Sequence, residues 1–278
     1  RSYCALGWTN EAENVLSRLK QDELVNKRLR TMYNTAYADF LVKTRQYDKA
    51  APVLLAAYKD TGGAQKTRLA FLLGQVYEAN GDKAAAYRMF KSVAGASSAT
   101  YRTQFNARIK QSEVYTGQNI NSEVRSLQRM ARLDRNKEYL DQIYYAIGNL
   151  YLSRRDTANA IKNYEAAINI NPSNALTLNN FAYFLCTHKK DRIDDAARMA
   201  EMALAADPDN GSYLDTYAWV LFLKHDYKKA LEFIEKAAEH RDSDTGNAEL
   251  WEHYGDILFM LGKPAEAVEK WKDALKDN

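Results

Sequence analysis

A small residue that returns at a nearly constant interval constrains this chain more than any other feature. Ala12, Ala50, Ala86, Ala160, Ala196, Ala230 and Ala267 stand 34 to 38 residues apart, with one double gap of 74 between Ala86 and Ala160. A fixed period of this length marks a repeat architecture. Small residues recur in this way when two helices cross too closely for a larger side chain and the same crossing is built again and again. Twelve residues before most of these alanines lies a second small residue, at Ala38, Gly74, Gly148, Ala218 and Gly255, with Ala182 fourteen before Ala196. Three residues after each comes a large apolar one: Leu41, Tyr77, Tyr151, Leu185, Leu221 and Leu258. Leu16, Leu54, Phe90, Tyr164, Ile234 and Trp271 follow the second-helix alanines at an offset of four. Offsets of three and four share one face of a helix. Each unit therefore reads as two amphipathic helices joined by a polar turn such as Asn80-Gly81-Asp82, Arg155-Asp156 or His225-Asp226.

The segment from Tyr144 to Pro172, with Gly148, Tyr151, Ala160, Tyr164 and Ala167 between, resembles a tetratricopeptide repeat nearly position for position. Gly74-Tyr77-Gly81-Asp82-Ala86-Phe90 and Trp251-Tyr254-Gly255-Leu258-Gly262-Ala267-Trp271-Ala274 resemble it equally well. The resemblance implies an all-α fold, a right-handed α-solenoid of tandem helix-turn-helix units. About eight units are expected, forming one continuous body over residues 1–278. The first is expected to be truncated, because Arg1 falls at about the ninth position of a 34-residue unit. Two units depart from the pattern. The fourth, roughly residues 100–134, places Gln111 and Glu123 where small residues belong, so its helices are expected to cross less closely. The sixth carries two extra residues around Lys189 to Arg192, read as a longer turn.

Only 4 prolines and 12 glycines in 278 residues leave little room for linkers. The longest uncharged stretch, Ala166 to Thr187, contains five asparagines and a proline, which hydrocarbon does not accept. Cys4 and Cys186 lie five units apart, and no disulfide is expected between them. The net charge of +3 is unevenly spread, at +10 over residues 1–165 and −7 over residues 166–278. The basic residues are dispersed over both helices of each unit, without the aromatic-interleaved stripe that nucleic acid favours. Nucleic acid is therefore not expected as a partner.

The sequence holds no phosphate-cradling glycine loop, no Cys-x-x-Cys, no His-Glu-x-x-His and no nucleophile elbow. His188, His225, His240 and His253 are placed in turns or on helix surfaces, without metal-ligand spacing. His253 and Asp256 share a helix face, and Glu249, Glu252 and Asp256 cluster, but charged residues at that spacing normally mark a wet face. No catalytic residue, cofactor or metal is expected, and the chain is not expected to be an enzyme.

Binding remains. The resemblance implies that the first helices line a concave groove, with fixed positions of each unit pointing into it. These positions give Gln142, Tyr145, Asn149 and Leu152 in the fifth unit and Leu176, Asn179, Tyr183 and Cys186 in the sixth. The seventh supplies Asp215, Trp219, Phe222 and Leu223, and the eighth Glu252, Asp256, Phe259 and Met260. Tyr183, Trp219, Phe222, Phe259 and Met260 form an apolar lining of the kind that marks contact surfaces. Packing against a neighbouring helix is the other role open to them. Chaperone-binding members of the family clamp a carboxylate between two asparagines and three cations. Here Asn149 and Asn180 occupy the asparagine positions, but Tyr145, Ser212 and Thr216 stand where the cations belong. A carboxylate would lack counter-charge, whereas an extended peptide backbone could still be bonded.

Residues 68–164, including Phe105-Asn106-Ala107-Arg108-Ile109 and Lys137-Glu138-Tyr139-Leu140-Asp141-Gln142-Ile143-Tyr144-Tyr145-Ala146, also resemble the tetratricopeptide lipoproteins of Bacteroidetes linked to gliding motility and type IX secretion. That resemblance implies a cell-envelope scaffold in the bacterial periplasm or at the outer membrane, anchored by a lipidated N-terminus upstream of Arg1. The expected function is a non-enzymatic scaffold or adaptor for peptide or protein partners. A regulatory or targeting module of a longer enzyme is the alternative, and a nucleic-acid-binding solenoid the remaining one.

Overall fold

The structure, a computed structural model, describes residues 8–18, 26–241 and 247–277. Helix α1 (Thr9–Ser17) is followed by α2 (Lys27–Lys43), α3 (Tyr47–Lys59), α4 (Gly63–Ala79), α5 (Lys83–Ala94), α6 (Tyr101–Glu113) and α7 (Asn121–Ala131). A 3-10 turn at Asp134–Tyr139 leads into α8 (Leu140–Leu152), α9 (Thr157–Ile170), α10 (Ala175–His188) and α11 (Ile193–Ala206). The remaining helices are α12 (Gly211–Leu223), α13 (Tyr227–Glu239), α14 (Ala248–Met260) and α15 (Pro264–Lys276), and no strand occurs among the described residues. The chain divides into two compact units, Arg1–Leu133 and Asp134–Asn278. Cys4 and the expected truncated first helix lie outside the described residues.

The returning alanine sits at the crossings, as its spacing requires. Ala50, Ala86, Ala160, Ala196, Ala230 and Ala267 have no solvent exposure. The matching first-helix position is small because a large second-helix ring lies on it. A Cβ on Gly74 would come within 2.7 Å of Phe90, and one on Gly148 within 2.7 Å of Tyr164. In the second unit the first helices α10, α12 and α14 lie side by side, each backed by its second helix.

The turns repeat as closely as the crossings. Arg45, Gly81, Arg155, His225 and Gly262 all stand five residues before a ladder alanine, and all adopt the left-handed conformation, with φ between 56° and 78°. In each case the following amide reaches back five residues: Gln46 to Leu41 O, Asp82 to Tyr77 O, Asp156 to Tyr151 O, Asp226 to Leu221 O and Lys263 to Leu258 O, at 2.8–3.1 Å. This satisfies the carbonyls left open at a helix C-terminus. Asp82, Asp156 and Asp226 then cap the next helix, accepting from the amides of Ala85, Asn159 and Lys229. Two residues thus end one helix and begin the next.

The two irregular units also follow from their sequences. Gln111 and Glu123 are both buried, and they meet in a polar knot instead of a close crossing. Gln111 Nε2 donates to Glu123 Oε2 at 3.0 Å and to the Tyr87 hydroxyl at 3.3 Å, and Tyr87 donates to Glu123 Oε1 at 2.9 Å. Helix α6 accordingly packs mainly on α5 and little on α7. In the sixth pair the two extra residues fall in a three-residue 3-10 turn, Lys190–Arg192, whose arginine bonds Glu165 at 2.7 Å and Asp195 at 2.8 Å.

Candidate functional site

Helices α8, α10, α12 and α14 present one connected side-chain face. Asn180 of α10 donates to the Tyr145 hydroxyl of α8. Tyr183, one turn further along α10, bonds Glu249 of α14, reaching past the intervening pair. On α12, Trp219 stacks on Phe222 with ring centroids 4.6 Å apart and on His253 of α14 at 4.1 Å. His253 Nδ1 donates to Asp215 Oδ1 at 2.9 Å. A residue and its neighbour one turn away share a helix face, so Asp215 and Trp219 grip the same imidazole from one side.

His253 corrects the sequence reading. It was placed on a wet surface beside Asp256, yet it is 6% exposed, and Asp256 instead accepts from Trp271 Nε1 at 3.1 Å. The physical reason is lateral: position 253 faces the preceding first helix, and no local periodicity shows what stands there. Burial pulls the imidazole pKa down, but the Asp215 hydrogen bond and the charges of Asp215, Glu249 and Asp256 more than offset it and carry the value above the ordinary 6.5. Among the described residues no serine, threonine or cysteine side chain hydrogen-bonds His253, so the pair ties α12 to α14. Cys186 is buried, and burial pushes its thiol up to about 12, which leaves it unreactive.

A pocket of about 270 Å³ opens beside this network, lined by Tyr145, Asn149, Leu152, Tyr164, Asn180, Tyr183, Phe184, Thr187 and His188. It brings together Tyr145, Asn149, Asn180 and Tyr183 of the candidate residues. Asn149 Oδ1 accepts from Tyr164 at 2.6 Å, so its amide NH2 is what it offers a ligand. Asn179 is buried, donates to Asn180 at 3.2 Å and does not line the pocket. Trp219 and Phe222 are half-buried in their stack, while Phe259 rests against Trp271 at 5.9 Å with 54% exposure and Met260 is also exposed. Ser212 is exposed and Thr216 is buried, and neither supplies the cation that a carboxylate clamp needs.

Phe184, Thr187 and His188 complete the pocket although the sequence reading did not select them. His188 stacks on Phe184 at 4.7 Å, an offset of four that was available in the sequence as a signal. A second, more polar recess of about 520 Å³ lies at the N-terminal ends of α12 and α14, where Asp207, Asp209, Asp215 and Glu249 face one arginine, Arg241, and one histidine, His240. Among the described residues no group of three or more His, Cys, Asp or Glu side chains is placed to hold a metal ion. No described helix is long and apolar enough to cross a membrane.

Comparison with known proteins agrees with the repeat geometry. Tetratricopeptide-repeat family models match residues 38–99 and 141–174, and the family described as anaphase-promoting complex, cyclosome, subunit 3 matches residues 189–276. An uncharacterized protein of Haemophilus influenzae is 27% identical over 154 residues, covering 55% of this chain and 83% of that protein. The type IV pilus assembly protein PilF of Pseudomonas aeruginosa is 25% identical over 154 residues, covering 54% of this chain and 59% of PilF. Among solved structures, a tetratricopeptide repeat protein of Parabacteroides merdae aligns with a TM-score of 0.57 at 16% identity, covering 90% of this chain and 94% of that one. Yeast Tom70 aligns with a TM-score of 0.61 at 15% identity, covering 91% of this chain and 54% of its own. At such identities the structural likeness concerns the fold alone.

Proposed function

We propose that this chain, built of tetratricopeptide repeats, is a non-enzymatic scaffold that holds peptide segments of partner proteins on the first-helix face of its second unit. The observation that carries the reading is the open pocket of about 270 Å³ on that face, where aromatic walls surround the amides of Asn149 and Asn180. Aromatic rings supply contact area at low entropic cost, and side-chain amides bond an extended backbone without demanding a charge. The neutral residues Tyr145, Ser212 and Thr216 argue against a terminal carboxylate as the ligand.

A bacterial envelope assembly is the setting we favour. Its support is the sequence resemblance of residues 68–164 to envelope lipoproteins, together with the similarity of half the chain to a protein named for type IV pilus assembly.

The test is selection of displayed random peptides on the protein, followed by competition with a Thr187→Trp variant. Thr187 is an exposed pocket residue, so a large neutral side chain there fills the recess without touching the core. Selected peptides should lose binding to the variant while its helicity and unfolding midpoint stay unchanged. Equal binding to both proteins would refute the assignment.

A further inference from the structure

The helix boundaries sort the charges in a way that residue counts along the chain conceal. The first helices of the second unit, α8, α10, α12 and α14, contain five carboxylates and not one lysine or arginine. Cations appear in the turns around them, among them Arg154, Arg155, Lys189, Lys190, Arg192, Lys224, Arg241 and Lys263, and on the second helices. The first helices of the first unit, α2, α4 and α6, show the opposite balance, with nine lysines and arginines against three carboxylates.

We infer that the peptide recognised by the second unit is cationic, carrying lysine or arginine beside aromatic or aliphatic residues. The inference rests on the proposed function and specifies its ligand class. Three observations bear on it besides the count. The exposed Glu252 has no side-chain partner among the described residues and lies on α14, one of the four first helices. The polar recess at the helix N-termini is lined by four carboxylates against Arg241 and His240; Asp215 is paired with His253 and Glu249 with Tyr183, and the exposed Asp207 and Asp209 carry the rest of its negative charge. The neighbouring pocket is walled by Tyr145, Tyr183 and Phe184, rings whose faces attract a cation and accept its aliphatic stem. Carboxylates and aromatic faces on helices that carry no lysine or arginine complement a basic, partly apolar segment and repel an acidic one.

Three fluorescent twelve-residue peptides test this. They share one Tyr/Leu/Gly/Ser framework and differ only in carrying three lysines, three glutamines or three glutamates. Anisotropy titration at low salt should show the lysine peptide binding about tenfold or more tighter than the glutamate peptide, with the glutamine peptide between. The contrast should shrink as salt is raised. Glu252→Lys should cut the lysine peptide's affinity by about two- to fivefold, whereas Glu232→Lys, on the exposed face of α13, should leave it unchanged. Equal binding of all three peptides, abolished by Thr187→Trp, would overturn the cationic assignment and keep the groove. No binding, or binding indifferent to Thr187→Trp, would overturn the groove itself.

Discussion

Gly148→Ala tests the crossing geometry by the sign of its effect. In an ordinary helix interior this substitution gains about 1 kcal/mol, because alanine loses less backbone freedom than glycine. At Gly148 the added methyl would lie 2.7 Å from a Tyr164 ring carbon, roughly 1 Å inside normal carbon contact. Tyr164 is closely held: it is 2% exposed, with the rings of Tyr145, Phe181 and Phe184 at centroid distances of 5.3–5.9 Å, and it can yield only toward the pocket it borders. Overpacking a filled site costs about 1–3 kcal/mol. Displacing the ring also breaks its bond to Asn149 Oδ1, adding about 1 kcal/mol. The balance is a net loss of about 1–3 kcal/mol, read as a lower midpoint in urea or thermal unfolding followed by circular dichroism. Because Asn149 lines the pocket, peptide affinity should fall with it. A stabilised Gly148→Ala protein would refute the close crossing and its link to the binding face.

Other perturbations separate the remaining features. Arg155→Gly should stabilise by about 0.5–1 kcal/mol, since relief of a left-handed residue exceeds the entropy cost of glycine, while Gly262→Ala at the equivalent turn should destabilise by about 1 kcal/mol; chemical denaturation measures both. The raised pKa of His253 means that the imidazolium contributes stability in full below the ordinary value of 6.5 and loses it as pH rises through the higher folded-state value. The unfolding midpoint should therefore drop as pH rises above the ordinary 6.5 in the natural protein and much less in His253→Gln, and equal slopes would contradict the Asp215 pairing. Gln111→Ala should cost about 1–3 kcal/mol by leaving the buried Glu123 short of a donor, and adding Glu123→Ala should recover part of that loss; strict additivity in a double-mutant cycle would rule the knot out.

The sequence made the repeat legible because every element of it is local. A helix crossing needs a small residue at a fixed offset, and the turn needs a residue that tolerates left-handed backbone followed by a capping aspartate. Tyr145, Asn149, Asn180 and Tyr183 came together as the repeat register implies. What escaped were contacts between helices. His253 meets Asp215 from 38 residues away, and Tyr183 reaches Glu249 from 66 residues away. Which side chains face each other over that separation depends on how successive pairs pack, and no periodicity within a helix encodes it. The charge sorting was hidden for a different reason. Counting along the chain averages first and second helices, and the averages concealed four first helices without a lysine or arginine.

The polar knot of Gln111, Glu123 and Tyr87 acts on assembly as well as on packing. Chains of look-alike helix pairs risk docking the wrong neighbours during folding. Most first helices here offer the same surface, a glycine or alanine that welcomes any second helix with a small residue to set against it. The fourth pair is the exception, because Glu123 of its second helix, laid against the small residue of another first helix such as Ala38 or Gly74, would bury a carboxylate beside a surface built for an apolar contact. Its proper site provides the Gln111 amide and the Tyr87 phenol to receive it. The fourth pair therefore carries an address in a chain of similar parts: its two helices fit each other through groups that the close crossings do not use.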